Sequence, residues 1–168
     1  MKKYQLSGLL IALLVMIPGV VAAEEAPTSY MEMSSDYEAI RLALLADSME
    51  GVAEHAKAIH RQASSLLANF EAVKTGIAEE EGAVLEAALQ EIESAASNLS
   101  AASSLESARE DFFTLTKPMA RYRKLVGDQD TVVAYCPMAQ KAWIQPDGEI
   151  GNPYLGQEMP NCGEVVGG

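Results

Sequence analysis

Apolar residues recur along this chain in steps of three and four, and that spacing constrains the fold more than any other feature. Val52, Ala56, Ile59, Ala63, Leu66 and Phe70 form one such stripe, and Leu85, Ala88, Ile92, Ala96 and Leu99 form a second. Leu105, Ala108, Phe112, Leu115, Met119, Tyr122 and Val126 form a third, with Pro118 inside it as an expected kink. A shorter stripe of Tyr37, Ile40 and Leu44 follows Ser34 or Ser35, either of which can cap a helix.

Punctuation between the stripes fits helix ends. Asp47-Ser48-Met49-Glu50 reads as a fresh helix start, and Thr75-Gly76 as a stop. Glu79, Glu80 and Glu81 suit the positive end of a helix dipole, and Lys124 and Gly127 close the last helix. One short and three long amphipathic helices cannot bury their stripes alone. The expected fold is therefore mainly α, an antiparallel four-helix bundle with an alanine-rich core over residues 34–127.

The chain before that reads as an export signal over residues 1–23: Lys2 and Lys3, an apolar run from Leu9 to Val15, and a small-residue cleavage site at Val21-Ala22-Ala23. Residues 24–33 read as a flexible leader. No later stretch approaches the roughly 18 apolar residues needed to cross a bilayer, so the expectation is a periplasmic protein with no membrane insertion after signal cleavage. Loss of Lys2 and Lys3 takes the formal charge from −12 to −14, because none of the 24 acidic residues precedes Glu24. That acidity argues against nucleic acid or an anionic membrane as partner, and reads first as a solvated coat on the helices.

Beyond Gly127 the composition changes. Thr131 to Tyr135 and Ala142-Trp143-Ile144 are β-prone, Pro146-Asp147-Gly148 is a turn, and Gly151 to Gly156 is a loop. Residues 128–168 hold both cysteines, the only tryptophan and four of the seven prolines, which marks an irregular or β-hairpin segment packed on the helices. Trp143 and Tyr154 read as its anchors.

Cys136, Met138, Met159 and Cys162 are the candidate site. Cys136 and Met138 are two apart, so on an extended strand they share a face; Met159 and Cys162 are three apart, which suits one turn. Two thiols and two thioethers are soft ligands, suited to Cu(I) or Ag(I) and unsuited to magnesium or calcium. Taken from spacing alone, a Cys136–Cys162 disulfide is the commoner outcome in an exported protein, and closing that loop stabilises a fold by about 3 to 4 kcal/mol. Reduction of an exposed bridge yields a dithiol, so the two states can alternate. A thiol redox role ranks last, for want of a Cys-x-x-Cys spacing.

His55 and His60 lie about 140° apart around their helix and cannot easily share an ion. They read as histidines at the edge of the core, though one of them could complete the sulfur site if the tail folds back beside it. Nor does any serine lie near a plausible base, and no glycine-rich phosphate loop appears, so no catalytic residue is expected and the chain reads as a non-enzyme.

Cys136-Pro137-Met138-Ala139, Trp143, Glu149-Ile150, Asn152-Pro153-Tyr154, Gly156, Met159 and Cys162-Gly163-Glu164-Val165 together resemble the signature of a bacterial family of unknown function. Arg109, Phe112, Leu115 and Thr116 extend the resemblance into the last helix. Its members occur alone or fused to the C-terminal end of CusB-type periplasmic adaptor subunits of copper and silver efflux systems. The resemblance implies a helical bundle with a C-terminal metal-handling loop, in which Cys136, Met138, Met159 and Cys162 hold the heavy-metal ion, for buffering or for delivery to an efflux adaptor. It shifts the preference from bridge to metal. Many relatives carry histidine where this chain has Tyr135, which leaves an all-sulfur site or one completed by His55 or His60.

Overall fold

The computed structural model describes residues 25–74 and 78–167. The export signal and the Thr75-Gly76 helix stop lie outside the described residues. Four long helices carry the stripes: α1 (Glu25–Leu45), α2 (Val52–Ala68), α4 (Glu79–Ser100) and α5 (Leu105–Val126), with the single-turn α3 (Phe70–Val73) after α2. Among the described residues no helix is long and apolar enough to cross a membrane.

Three expectations about the helices need correcting. The stretch 24–33, expected as a flexible leader, is helical from Glu25, so the first helix is long rather than short, at 21 residues. Tyr30 and Met33 extend the Tyr37-Ile40-Leu44 stripe by one further step of four and one of three, and all five side chains are buried. No helix starts at Asp47: the chain turns there, with Asp47 and Gly51 in the left-handed region (φ 56° and 75°), and α2 begins at Val52. Phe70 does not continue α2, because Asn69 interrupts the helix and Phe70 opens α3.

The last helix follows the reading closely. Ser104 accepts from the Ser107 amide while the Ser107 side chain returns to the Ser104 amide, a reciprocal cap, and Gly127 ends the helix at φ 68°. Pro118 lies within the continuous helix.

Each long helix packs on two others: α1 on α2, α2 on α4, α4 on α5 and α5 on α1. The core between them is rich in small residues, with Ala56, Ala63, Ala88, Ala96 and Ala108 fully buried, which lets the backbones approach closely.

The tail forms a three-stranded antiparallel sheet in the order β2-β1-β3, from β1 (Thr131–Cys136), β2 (Lys141–Pro146) and β3 (Glu164–Gly167). Ala134 pairs with Trp143 on one side and with Val165 on the other. The third strand was not expected. It is four residues long and mostly exposed, so neither length nor alternation announces it.

Strand β2 rests on α5 and α1. A buried polar link joins the three: the Tyr37 hydroxyl lies 2.7 Å from the Thr116 hydroxyl and accepts from the Ile144 amide at 3.2 Å. Aromatic rings continue the contact, with Tyr37 stacked on Phe112 at 4.5 Å, and Tyr154 6.2 Å from Phe112 and 6.0 Å from Trp143. Trp143 and Tyr154 are the anchors the sequence led us to expect.

Candidate functional site

Cys136 ends β1, where its pairing with Lys141 closes the hairpin ladder. The four residues between them turn the chain, with Gln140 in the left-handed region at φ 54°. Cys162 approaches from a separate turn, in which its amide donates to the Met159 carbonyl at 3.2 Å. The two Sγ atoms meet at 2.7 Å, beyond the roughly 2.05 Å of a disulfide bond, and both cysteines stand as free thiols. Cys136 is fully buried, whereas Cys162 is partly exposed.

The thiols are unlike one another. Burial pushes the Cys136 thiol up, but hydrogen bonds from the Cys162 thiol, the Ala139 and Met138 amides and the Asn152 side chain outweigh it and hold it below its ordinary value. The Ala139 amide lies 3.4 Å from that sulfur. Cys162 is pushed up, first by its contact with Cys136 and then by burial.

The methionines behave differently from the thiols. Cys136 and Met138 do not share a face, because the strand ends at Cys136 and Met138 belongs to the turn; its side chain is 66% exposed. Met159 occupies the expected turn before Cys162 and is 38% exposed. Both thioethers thus stand in solvent on turns adjoining the thiol pair.

His55 and His60 are engaged among the helices. His55 Nδ1 lies 2.8 Å from Asp36 of α1, and His60 Nδ1 lies 3.1 Å from the Glu93 carbonyl of α4. Among the described residues no group of three or more His, Cys, Asp or Glu side chains converges as a metal site.

Glycine permits the close approach of the second turn. Gly163 has φ 150°, and a Cβ there would lie 2.7 Å from the edge of the Trp143 ring. We expect Gly163→Ala to destabilise the protein by about 1–3 kcal/mol and to loosen the thiol pair, read as a lower melting temperature together with faster alkylation of Cys136. An unchanged melting temperature and alkylation rate would show that the turn adapts.

Two arginines tie the loop before Cys162 to the helices. Arg41 of α1 donates to the Gly151 carbonyl at 2.6 Å while held bidentately by Glu38, also at 2.6 Å. Arg109 of α5 donates to the Pro153 carbonyl at 2.7 Å, the Leu44 carbonyl at 3.0 Å and the Asp47 carboxylate at 2.5 Å. Gly156, at φ 51°, leaves room for this cluster: a Cβ there would collide with Asp47 and Arg109. The Arg109 guanidinium, helped by the Gln157 amide, holds the Asp47 carboxyl below the usual carboxylate range. A depressed folded value means that the link stabilises above the ordinary carboxylate pKa and is lost as pH falls through the folded one. The melting difference between wild type and Asp47→Asn is expected to be full near neutrality and to shrink below about pH 4; a difference that ignores pH would remove this account.

Arg41 escaped the sequence reading, although a signal was there. It sits in the apolar stripe beside Ile40, three residues before Leu44, where a charged side chain must find a buried partner.

The model of a family described as "Protein of unknown function (DUF3347)" matches residues 35–131, more than half of the chain. The chain belongs to the DUF3347 family. The DUF3347 match spans α2, α4, α5 and most of α1, and it ends at the first residue of β1. The family likeness shown in this way sits on the helices, whereas the resemblance drawn from the residues rested chiefly on the cysteine tail. Comparison with curated proteins and with solved structures gives no match.

Proposed function

We propose that this DUF3347 protein is an exported heavy-metal-binding protein that captures Cu(I) or Ag(I) through Cys136 and Cys162. The helices serve as an antiparallel four-helix bundle that carries the site and no catalytic group. The observation that supports the reading best is the convergence of the two sulfurs, 2.7 Å apart, from segments 26 residues apart in the chain. Around them lie N–H donors that favour a thiolate and, among the described residues, no converging group of three or more His, Cys, Asp or Glu side chains.

Capture begins at the partly exposed Cys162. An arriving soft ion displaces the protons of the two thiols, which are released to solvent, and it draws the sulfurs apart to make room for itself between them. Met138 and Met159 stand in solvent beside them and supply thioether sulfur from the outer side. Release runs the same way in reverse, by exchange with the soft ligands of an acceptor. By the resemblance of the tail, that acceptor is a periplasmic efflux adaptor, and the setting is the periplasm.

Titration of the reduced mature chain with Ag(I) or Cu(I) tests the proposal. The expected result is saturation at about one ion with loss of both reactive thiols. The same closeness of the sulfurs favours a second reading, a structural or interaction module of the cell envelope stapled by a Cys136–Cys162 disulfide and free of metal. Such a bridge forms by exchange with a disulfide donor, which takes up the two electrons and two protons. Protein isolated without reductant that has no free thiol, and takes up no Ag(I) after gentle reduction, would select the staple.

A further inference from the structure

Asn152 is fully buried, and all its polar atoms are committed. Its Oδ1 accepts from the Tyr154 amide at 2.8 Å and the Leu155 amide at 3.1 Å. Those two N–H groups can meet only an oxygen, so the orientation of the side-chain amide is fixed and Nδ2 faces the cysteines. There Nδ2 donates to the Cys162 carbonyl at 2.7 Å. The Asn152 amide closes the turn from the other side by donating to the Pro160 carbonyl at 2.7 Å. Asn152 thus grips the Cys162 turn twice, from its side chain and from its backbone.

The backbone on either side of Asn152 is held from the helices. Arg41 binds the carbonyl of Gly151 and Arg109 binds that of Pro153, so α1 and α5 fix where the Asn152 segment sits against the helices. Both arginines lie within the stretch matched by the family.

We propose that Asn152, clamped between Arg41 and Arg109, is the positioning residue of the thiol pair: its side-chain NH2 holds the Cys162 turn in place against Cys136, so that the helices dictate the separation of the two sulfurs. The inference deepens the metal-binding reading but depends only on the geometry of the dithiol. Asn152→Asp separates the roles of the two ends of the side chain. It keeps the shape and the oxygen that accepts from Tyr154 and Leu155, and it replaces the donor by an oxygen that repels the Cys162 carbonyl.

Two measurements on the full mature chain form the test, with an unchanged far-ultraviolet helix signal as the check on folding. The first is the equilibrium with oxidised and reduced glutathione, in which the dithiol passes two electrons and two protons to glutathione disulfide and yields two glutathione thiols. The second is the affinity for Ag(I). Asn152→Asp is expected to lower the effective concentration of one thiol at the other about tenfold or more, and to weaken Ag(I) by a similar factor. Should Asn152→Asp lose its helices, Asn152→Ser, which retains an acceptor and cannot reach the Cys162 carbonyl, is measured in its place with the same expectation. A glutathione equilibrium within twofold of wild type in the folded variant would overturn the proposal. If wild type takes up no Ag(I) while the variant still shifts the glutathione equilibrium, the metal reading fails and the positioning role stands.

Discussion

Cys136→Ser is expected to weaken Ag(I) binding on the order of a hundredfold or more, and Cys162→Ser to do the same, with the helix content of both variants intact. A serine hydroxyl is a hard donor that keeps its proton at neutral pH, so each substitution leaves one thiolate and the solvent-exposed thioethers to hold the ion. Serine matches cysteine closely in size, and at position 136 its hydroxyl meets the donors that now serve the sulfur, namely the Ala139 and Met138 amides and Asn152. Fold loss is therefore a poor explanation of lost binding. Direct titration with competition by a soft chelator measures the effect. Wild-type affinity in both variants would remove the thiol pair from the function and, with it, the proposal.

Trp143→Ala carries the largest expected effect on stability. Trp143 is fully buried in the middle of β2, its ring edge-on to Tyr154 at 6.0 Å, and its indole N–H donates to the Gln145 side chain at 2.8 Å. That same Gln145 oxygen accepts from the Gly151 amide at 3.1 Å, so removing the ring disturbs the loop that Arg41 holds. Truncating a buried tryptophan costs about 3–5 kcal/mol, against a total of about 5–15 for an ordinary domain. Thermal unfolding is expected to shift down by roughly 10 °C or more. Trp143→Phe, which refills much of the space but loses the hydrogen bond, is expected to fall between. A shift of less than about 2 °C in Trp143→Ala would mean that the sheet is not anchored through this residue.

The helices were legible because burial imposes a period. Every residue of the three long apolar stripes, apart from Phe70, Leu105 and the final Val126, is buried in the helix expected for it, since an amphipathic helix can bury only one face. The first helix was cut short because Tyr30 and Met33 stand among polar and small residues, and two more members of a stripe are easily missed beside a leader-like composition. The turn at Asp47 was misread for a related reason: Asp-Ser-Met-Glu has the chemistry of a helix cap, but its carboxylate is taken by Arg109, 62 residues away. Local propensity loses to a tertiary ion pair there.

For the site, the sequence alone determined which atoms are available: two thiols, two thioethers and their distribution over two short segments, together with a chain able to bury four helical stripes. It also contained Asn152, Gly163 and the arginines, without saying what any of them is for. Only the tertiary structure decided that the two sulfurs meet, that the methionines are exposed, that the histidines face other helices, and that Asn152 holds the Cys162 turn. The reason is physical. Periodicity is a local property, written in steps of three and four. A hydrogen bond from Asn152 to the Cys162 carbonyl, or from Arg41 to a carbonyl 110 residues away, leaves no periodic trace, and its partners are named only when packing brings them within reach.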